Sequence, residues 1–438
     1  LKGPQGAIYG RNASAGAIVI TTRAPQNEFG GQAQASVGNF NSYNGALSVG
    51  GALIPDRLLA RATFASTNTD GPFQNVNTGD LVRRWRENSG RVRFDWLPTD
   101  SLNVDFRFGA SNGRGGAVAY QPKLGIVPGL SPNGTVVGGV PITEVGSNTV
   151  IDIPFVADVP SAYERDVWNS SIKVDWTGSA MTLTSITGYS QTSEYWGGKG
   201  FPYGAPNDRT TNFFGWTAIF GDNTQNYRTT NRQFYQELRL TSQGEGALQW
   251  QVGAEYINAK FMKLTNNALN GAVPPGLTGP ALIGYTGFNQ AGQRTLLGGG
   301  AAVPWPLRLR GLDSMYPSTS FYTSEFPAEN IAPFGNVKWK VSDALSVTLA
   351  ARYDREKREV KATGPDVFNP FVGGSYNPCV RITRQTADQC REGTDETFTQ
   401  LQPKATVDYQ FSDNLSAYVS WGRSFKTGGF NPIGTREQ

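Results

Sequence analysis

A period of two runs through most of the chain. In 102–108, Leu102, Val104, Phe106 and Phe108 share one parity while Asn103, Asp105 and Arg107 share the other. Residues 345–354 repeat the pattern, with Leu345, Val347, Leu349, Ala351 and Tyr353 set against Ser346, Thr348, Ala350, Arg352 and Asp354. Alternation of this kind puts one apolar face and one polar face on a strand, whereas a helix would need a spacing of three to four. Six short turn signals join such segments: LIPDR at 53–57, LPTDS at 97–101, TGSA at 177–180, SQGEGA at 242–247, VSDAL at 341–345 and FSDNL at 411–415. Their Pro, Asp, Gly and Ser supply tight-turn chemistry. Reading outward from the turns predicts thirteen strands, at about 29–38, 41–52, 56–69, 85–97, 100–112, 166–177, 180–195, 231–242, 247–262, 332–341, 344–359, 397–411 and 414–426.

Connections at the opposite strand ends are mostly long, at 113–165, 196–230, 263–331 and 360–396. Short turns at one end and long loops at the other predict a transmembrane antiparallel barrel, whose chain is threaded from the periplasmic side. Trp96, Trp176, Trp250, Trp339, Tyr409 and Phe411 lie within a few residues of a short turn, as an interfacial girdle requires. The bland alternative is that Trp simply favours strands. Arg61, Arg91, Arg93, Asp95, Arg107, Lys173, Asp175, Glu237, Arg239, Glu255, Lys338 and Lys340 occupy the polar parity. In a barrel that face lines a wet lumen or grips a plug, and in a soluble protein it faces solvent, so alternation alone leaves the choice open.

Composition narrows it. With 53 Gly, 24 Phe, 17 Tyr and 10 Trp but only 17% charged residues, the chain is poor in helix-forming material and rich in strand and turn formers. No apolar run approaches the roughly 18–20 residues of a membrane helix. The 39 basic and 35 acidic residues are spread along the chain, so no basic block points to nucleic acid. Histidine is absent, which removes the commonest general base and metal ligand and disfavours an enzyme. Cys379 and Cys390 have no third ligand with which to share a metal, and a local disulfide is favoured over two free thiols.

The opening, LKGPQGAIYGRNASAGAIVITTRAP at 1–25, lacks the spacing and the lysine of a phosphate-binding loop. It resembles the end of the plug domain of TonB-dependent outer-membrane receptors of the siderophore-receptor type, with Lys2 in place of the usual Arg and Ala15 in place of one of a glycine pair. FYQELRLTS at 234–242 and LQPKATVDYQFSDNLSAYVSWGRSFKTGGFNP at 401–432 are similar to barrel segments of the same family. The resemblance implies the C-terminal end of a plug at 1–28 and the N-terminal part of a barrel with long extracellular loops at 29–438, with about thirteen of an expected 22 strands. The chain is accordingly expected to be a fragment, with Leu1 not a natural start, the TonB-contact segment absent, and a monomeric full-length protein seated in the outer-membrane lipid of a Gram-negative bacterium.

The resemblance further implies TonB-dependent import of a scarce solute, a ferric siderophore first, with oligosaccharide, cobalamin or another nutrient as alternatives and a passive porin-like channel as a remoter one. TonB and its inner-membrane motor would be the partner, no covalent chemistry would occur, and iron would enter only within a bound siderophore, not as a cofactor. Arg11 matches the plug arginine of the family, and Glu237 first and Glu255 second are the wall carboxylates expected to hold it. A simple cross-strand charge ladder inside the lumen is the equal alternative for Glu237 and Arg239. The aromatic stretches 195–220 and 315–327 single out Tyr195, Trp196, Tyr203, Trp216 and Tyr322 as solute contacts, unless these rings only pack the loops together.

Overall fold

The computed structural model describes residues 6–9, 16, 18, 20–75, 79–116, 136–137, 140–141, 162–199, 223–269, 286–288, 294–296, 318–364, 367–369, 374–377 and 386–430. Thirteen strands form one sheet, and each pairs antiparallel with its neighbours in sequence. They are β1 (Gly30–Gly38), β2 (Ser42–Ile54), β3 (Leu58–Thr69), β4 (Trp85–Thr99), β5 (Leu102–Gly115), β6 (Ala162–Thr177) and β7 (Met181–Lys199). The second half comprises β8 (Asn223–Ser242), β9 (Leu248–Leu269), β10 (Ser318–Lys340), β11 (Leu345–Thr363), β12 (Thr394–Ser412) and β13 (Leu415–Gly422). The count and order are those the alternation predicts.

The two faces divide as the parity requires. Leu349 is 58% exposed and Leu238 53%, while the inward Asp354 and Glu356 on β11 are fully buried. Apolar side chains out and polar side chains in is the reverse of a soluble domain, and it fits a wall whose outer solvent is hydrocarbon. Trp96, Trp176, Trp339, Tyr409 and Phe411 all project from the outward face just above the short turns, where an amphipathic ring suits the membrane interface.

The strands reach further at their loop ends than the pattern predicts. β10 begins at Ser318 and not near 332, β9 runs to Leu269, and β8 starts at Asn223. A tilted strand needs only about 9–11 residues to cross the bilayer, and β9 and β10 have 22 and 23. Above the membrane both faces are wet, so the alternation fades while backbone pairing continues. Residues 386–393, inside the predicted loop 360–396, contain a helix the periodicity missed, α2 (Ala387–Glu392). Thr386 and Gln389 exchange side-chain-to-backbone hydrogen bonds in a capping box, a T-x-x-Q signal legible in the sequence. A shorter helix, α1 (Gly6–Tyr9), lies against β10, β11 and β12.

These assignments set a test of facing. Leu349→Arg puts a charge on the hydrocarbon side and should destabilise the folded barrel by about 2–4 kcal/mol, whereas Thr348→Arg on the inward side should be tolerated. The folded fraction of the full-length protein in lipid, read by its heat-dependent electrophoretic shift, distinguishes the two.

Candidate functional site

Two groups of inward side chains are assembled by register. The first is a buried polar network where α1 meets the wall. Arg352 on β11 grips Asp354 with both Nε and Nη2, at 2.9 and 3.0 Å, and also bonds Glu255 on β9 through Nη2. Asp354 further accepts from Asn330 Nδ2 at 3.1 Å and from Gln402 Nε2 at 2.6 Å. Gln402 Oε1 in turn accepts from Ser424 Oγ at 3.3 Å. Asn330, Asp354, Glu356 and Gln402 are completely buried. Charges at such depth persist only when paired and hydrogen-bonded, and here Asp354 has four donors. Glu356 accepts from Arg358 Nε and Thr427 Oγ1, each at 2.7 Å.

This network sets how closely α1 can approach. A side chain at Gly6 would overlap Gln402 and Ser424, so only glycine lets the backbone rest on them. Arg11 lies outside the described residues. Of its two expected partners, Glu255 is engaged by Arg352, and Glu237 sits directly across from it in the β8–β9 register. Glu237 accepts from the Tyr235 hydroxyl, and Arg239 Nη1 stands 3.1 Å from its Oε1 as a close ion pair without hydrogen-bond alignment. The Glu237–Arg239 contact is therefore present, along one strand and not across two.

The second group is a row of positions in register with one another. Register connects Trp85 to Gly115, Gly115 to Tyr163, Tyr163 to Trp196, Trp196 to Tyr227, Tyr227 to Thr265 and Thr265 to Tyr322, across seven adjacent strands from β4 to β10. All share the inward parity. Trp85 and Tyr163 have ring centroids 5.4 Å apart, and Trp196 and Tyr227 stack at the same separation. Gly115 makes room for the first pair, because a Cβ there would stand 2.7 Å from Trp85 Cε3. Lys263 Nζ sits 4.1 Å from the centre of the Tyr227 ring. The Tyr163 hydroxyl donates to Glu194 Oε1 at 2.9 Å, and Trp85 Nε1 donates to Glu87 Oε2 at 3.2 Å.

The row lies 13 to 18 residues from the short-turn ends of its strands. At about 3.4 Å per residue and a tilt near 40°, roughly ten residues span the ~25 Å apolar band, so the row stands above the bilayer. Burial lifts the Tyr163 hydroxyl above its usual pKa, reinforced by Glu194, and burial likewise lifts Tyr227. Burial lowers the pKa of Lys263. The row thus offers flat ring faces, a partly desolvated ammonium and a carboxylate, suited to recognising a planar or aromatic solute but not to bond-making.

Of the sequence-predicted contacts, Trp196 and Tyr322 belong to this row. Tyr195, next to Trp196, necessarily points the other way; its hydroxyl donates to Asn226 Oδ1 at 3.3 Å and Arg228 lies over its ring. Tyr203 and Trp216 lie outside the described residues, as does Cys379. Cys390 on α2 is buried, disulfide-bonded and packed near Ala362 and Tyr322. Sequence reading missed Trp85, Tyr163 and Tyr227, which are scattered over more than 140 positions and meet only through register. The lone signal was that each falls on the polar parity of its strand.

An antiparallel meander with its apolar face outward, short turns at one end and a plug-like segment against its inner face defines the wall of a plugged outer-membrane β-barrel. The chain belongs to the TonB-dependent receptor family: the model described as TonB dependent receptor-like, beta-barrel, matches residues 120–436. Such chains are receptors of the Gram-negative outer membrane and not enzymes. The chain is similar to a pesticin receptor of Yersinia enterocolitica, 31% identical over 444 residues, covering 99% of this chain and 50% of that one. In fold it is similar to the ferric yersiniabactin uptake receptor FyuA of Yersinia pestis, with a TM-score of 0.68 and 16% identity over 100% of this chain and 53% of that one. The open form of the ferric-catecholate import receptor Fiu of E. coli K12 gives a TM-score of 0.64 and 14% identity, over 97% and 59%. The chain spans about half the length of the relatives it matches.

Removing Arg352 tests the buried network. Arg352→Met leaves Glu255 and Asp354 buried without their cation and should destabilise the wall by about 3–5 kcal/mol. Denaturant unfolding of the full-length protein in lipid should show the loss, and an unchanged midpoint would assign the network no structural weight.

Proposed function

We propose that the protein imports a ferric siderophore across the outer membrane, with TonB and its inner-membrane motor supplying the energy. The observation that carries this reading is the inward aromatic row at the loop end of the wall, with Lys263 over the Tyr227 ring. Aryl and catecholate iron chelates present flat rings and negative charge, which stack on such faces and attract an ammonium. The names of the similar proteins, a receptor for ferric yersiniabactin and one for ferric catecholates, support the same class. Iron would arrive only within its chelate, and the protein would need no cofactor of its own. Sugar rings also stack on aromatic faces, so oligosaccharide import is the alternative the test must separate.

Deleting the gene should lower uptake of radiolabelled ferric siderophore under iron limitation; unchanged iron uptake would overturn the siderophore reading. Collapse of the proton gradient should abolish uptake by the intact strain, and persistence would favour passive passage. Each stacked ring contributes about 0.5–1.5 kcal/mol, so Trp196→Ala with Tyr227→Ala should weaken siderophore binding to the full-length protein by roughly tenfold or more, measured by fluorescence titration.

A further inference from the structure

On β10 the aromatic row reaches Tyr322, and the strand on one side of that ring stops short. β11 ends at Thr363, which pairs with Thr323. Tyr322 lies one residue further on, so β9 flanks it through Thr265 while β11 has no strand position level with it. α2 takes that place. Cys390 packs against Ala362, the last inward residue of β11, and Tyr322 packs against these two. Cys390 and Ala362 are 4% and 2% exposed, and Ser324, the register partner of Ala362, is completely buried. Each of β9, β10 and β11 is paired on both sides within the sheet, so the strands that frame this contact all belong to the described wall.

α2 has six residues, too few for a helix that stands alone. Asp388, Gln389, Arg391 and Glu392 are exposed, and Cys390 is its one buried residue, so its grip on the wall falls on that side chain. Three devices hold the helix in place. The capping box between Thr386 and Gln389 closes its first turn. Gly393 ends it at φ 80°, lying so close to β11 that a Cβ there would overlap the Val360 carbonyl oxygen, and Thr394, the next residue, pairs with Val360 to begin β12. The third device is covalent: Cys390 is disulfide-bonded, and the other cysteine of the chain is Cys379. Such a bond keeps the two Cα atoms within about 7 Å of each other, which leaves α2 little freedom to leave Ala362.

We propose that α2, anchored by the Cys379–Cys390 disulfide, positions Tyr322 and so sets the shape of one end of the solute-contacting row. The proposal rests on reading that row as a solute surface, and it makes Cys390 a positioning residue that acts through the Tyr322 ring. A ring already held in its binding position spares the ligand the cost of ordering it. Trp85 with Tyr163, and Trp196 with Tyr227, are held as ring pairs. At Tyr322 the half-cystine and Ala362 bound the ring on the side where β11 has ended. Without the tether, that side opens and the ring gains rotamers.

Fluorine NMR of 3-fluorotyrosine, incorporated at the Tyr322 position of the full-length protein in lipid, reads the ring directly. Cys379→Ser with Cys390→Ser should shift or broaden its resonance, whereas Glu392→Gln, on the exposed side of α2, should not. The same label at the Tyr163 position, on β6, should be unaffected by either change. Should the double variant fail to fold, the folded protein is treated with a water-soluble phosphine. The S–S bond then breaks to two thiols while the phosphine becomes its oxide, water supplying the oxygen and both hydrogens, and the Tyr322 signal should change in the same way. An unchanged Tyr322 resonance once the bond is gone would overturn the proposal, as would an equal change at Tyr163, the mark of general loosening. Binding of a ferric tris-catecholate complex gives a second readout: the Cys→Ser pair should weaken it about two- to tenfold, the worth of one ring contact. Adding Tyr322→Ala should then cost little more, because both changes act through one ring, and additive losses would overturn the proposal. Failure of this complex to bind even the unaltered protein would count against the siderophore reading and leave the fluorine signal to decide this one.

Discussion

Every other feature of the wall follows from the backbone's need for partners where water is absent. An unsatisfied N–H or C=O in hydrocarbon costs several kcal/mol, so a chain that crosses with strands must pair each strand on both sides. From β2 to β12 the meander meets this with connections only between sequence neighbours, and β1 and β13 form the two edges of the described sheet. Antiparallel neighbours need only tight turns at one end, and Asp56 in the β2–β3 turn adopts the left-handed backbone such a turn demands. Once pairing is fixed, the pleat sends alternate residues to lipid and lumen, and the sequence fills those places accordingly.

The lumen face is not uniform, and its two sides solve the problem of buried charge differently. Along β9 to β12 the charges are closed on themselves: Arg352, Glu255, Asp354, Asn330 and Gln402 satisfy one another, and the plug-like backbone at Gly6 settles directly on that surface. Asp354 takes four donors there, while Asn330 Oδ1 is left without a hydrogen-bond partner among the described residues. Along β3 to β6 the inward face carries more arginines than carboxylates, and Asp95 and Asp105 pair with Arg93 and Arg107.

Height along the barrel adds a second division. Above the bilayer the inward positions are aromatic, with Trp196 and Tyr227 stacked and Lys263 over a ring face. Below them, on β3 to β6, several inward positions are arginines, among them Arg61, Arg91, Arg93 and Arg107.

The thirteen strands, their outward and inward faces, the aromatic girdle and the family likeness were all legible in the sequence, because hydrocarbon on one side and water on the other impose a period of two that survives without knowledge of neighbours. Strand ends such as Ser318 were not legible, since above the membrane both faces are wet and the period vanishes. Nor were the partners of the charges. Glu255 was visible as an inward carboxylate, but its pairing with Arg352, 97 positions away, depends on which residues stand level in strands separated by long loops. The same holds for the row from Trp85 to Tyr322. The sequence by itself determined which face each side chain takes; register, a property of paired strands and not of any one of them, decided which side chains meet.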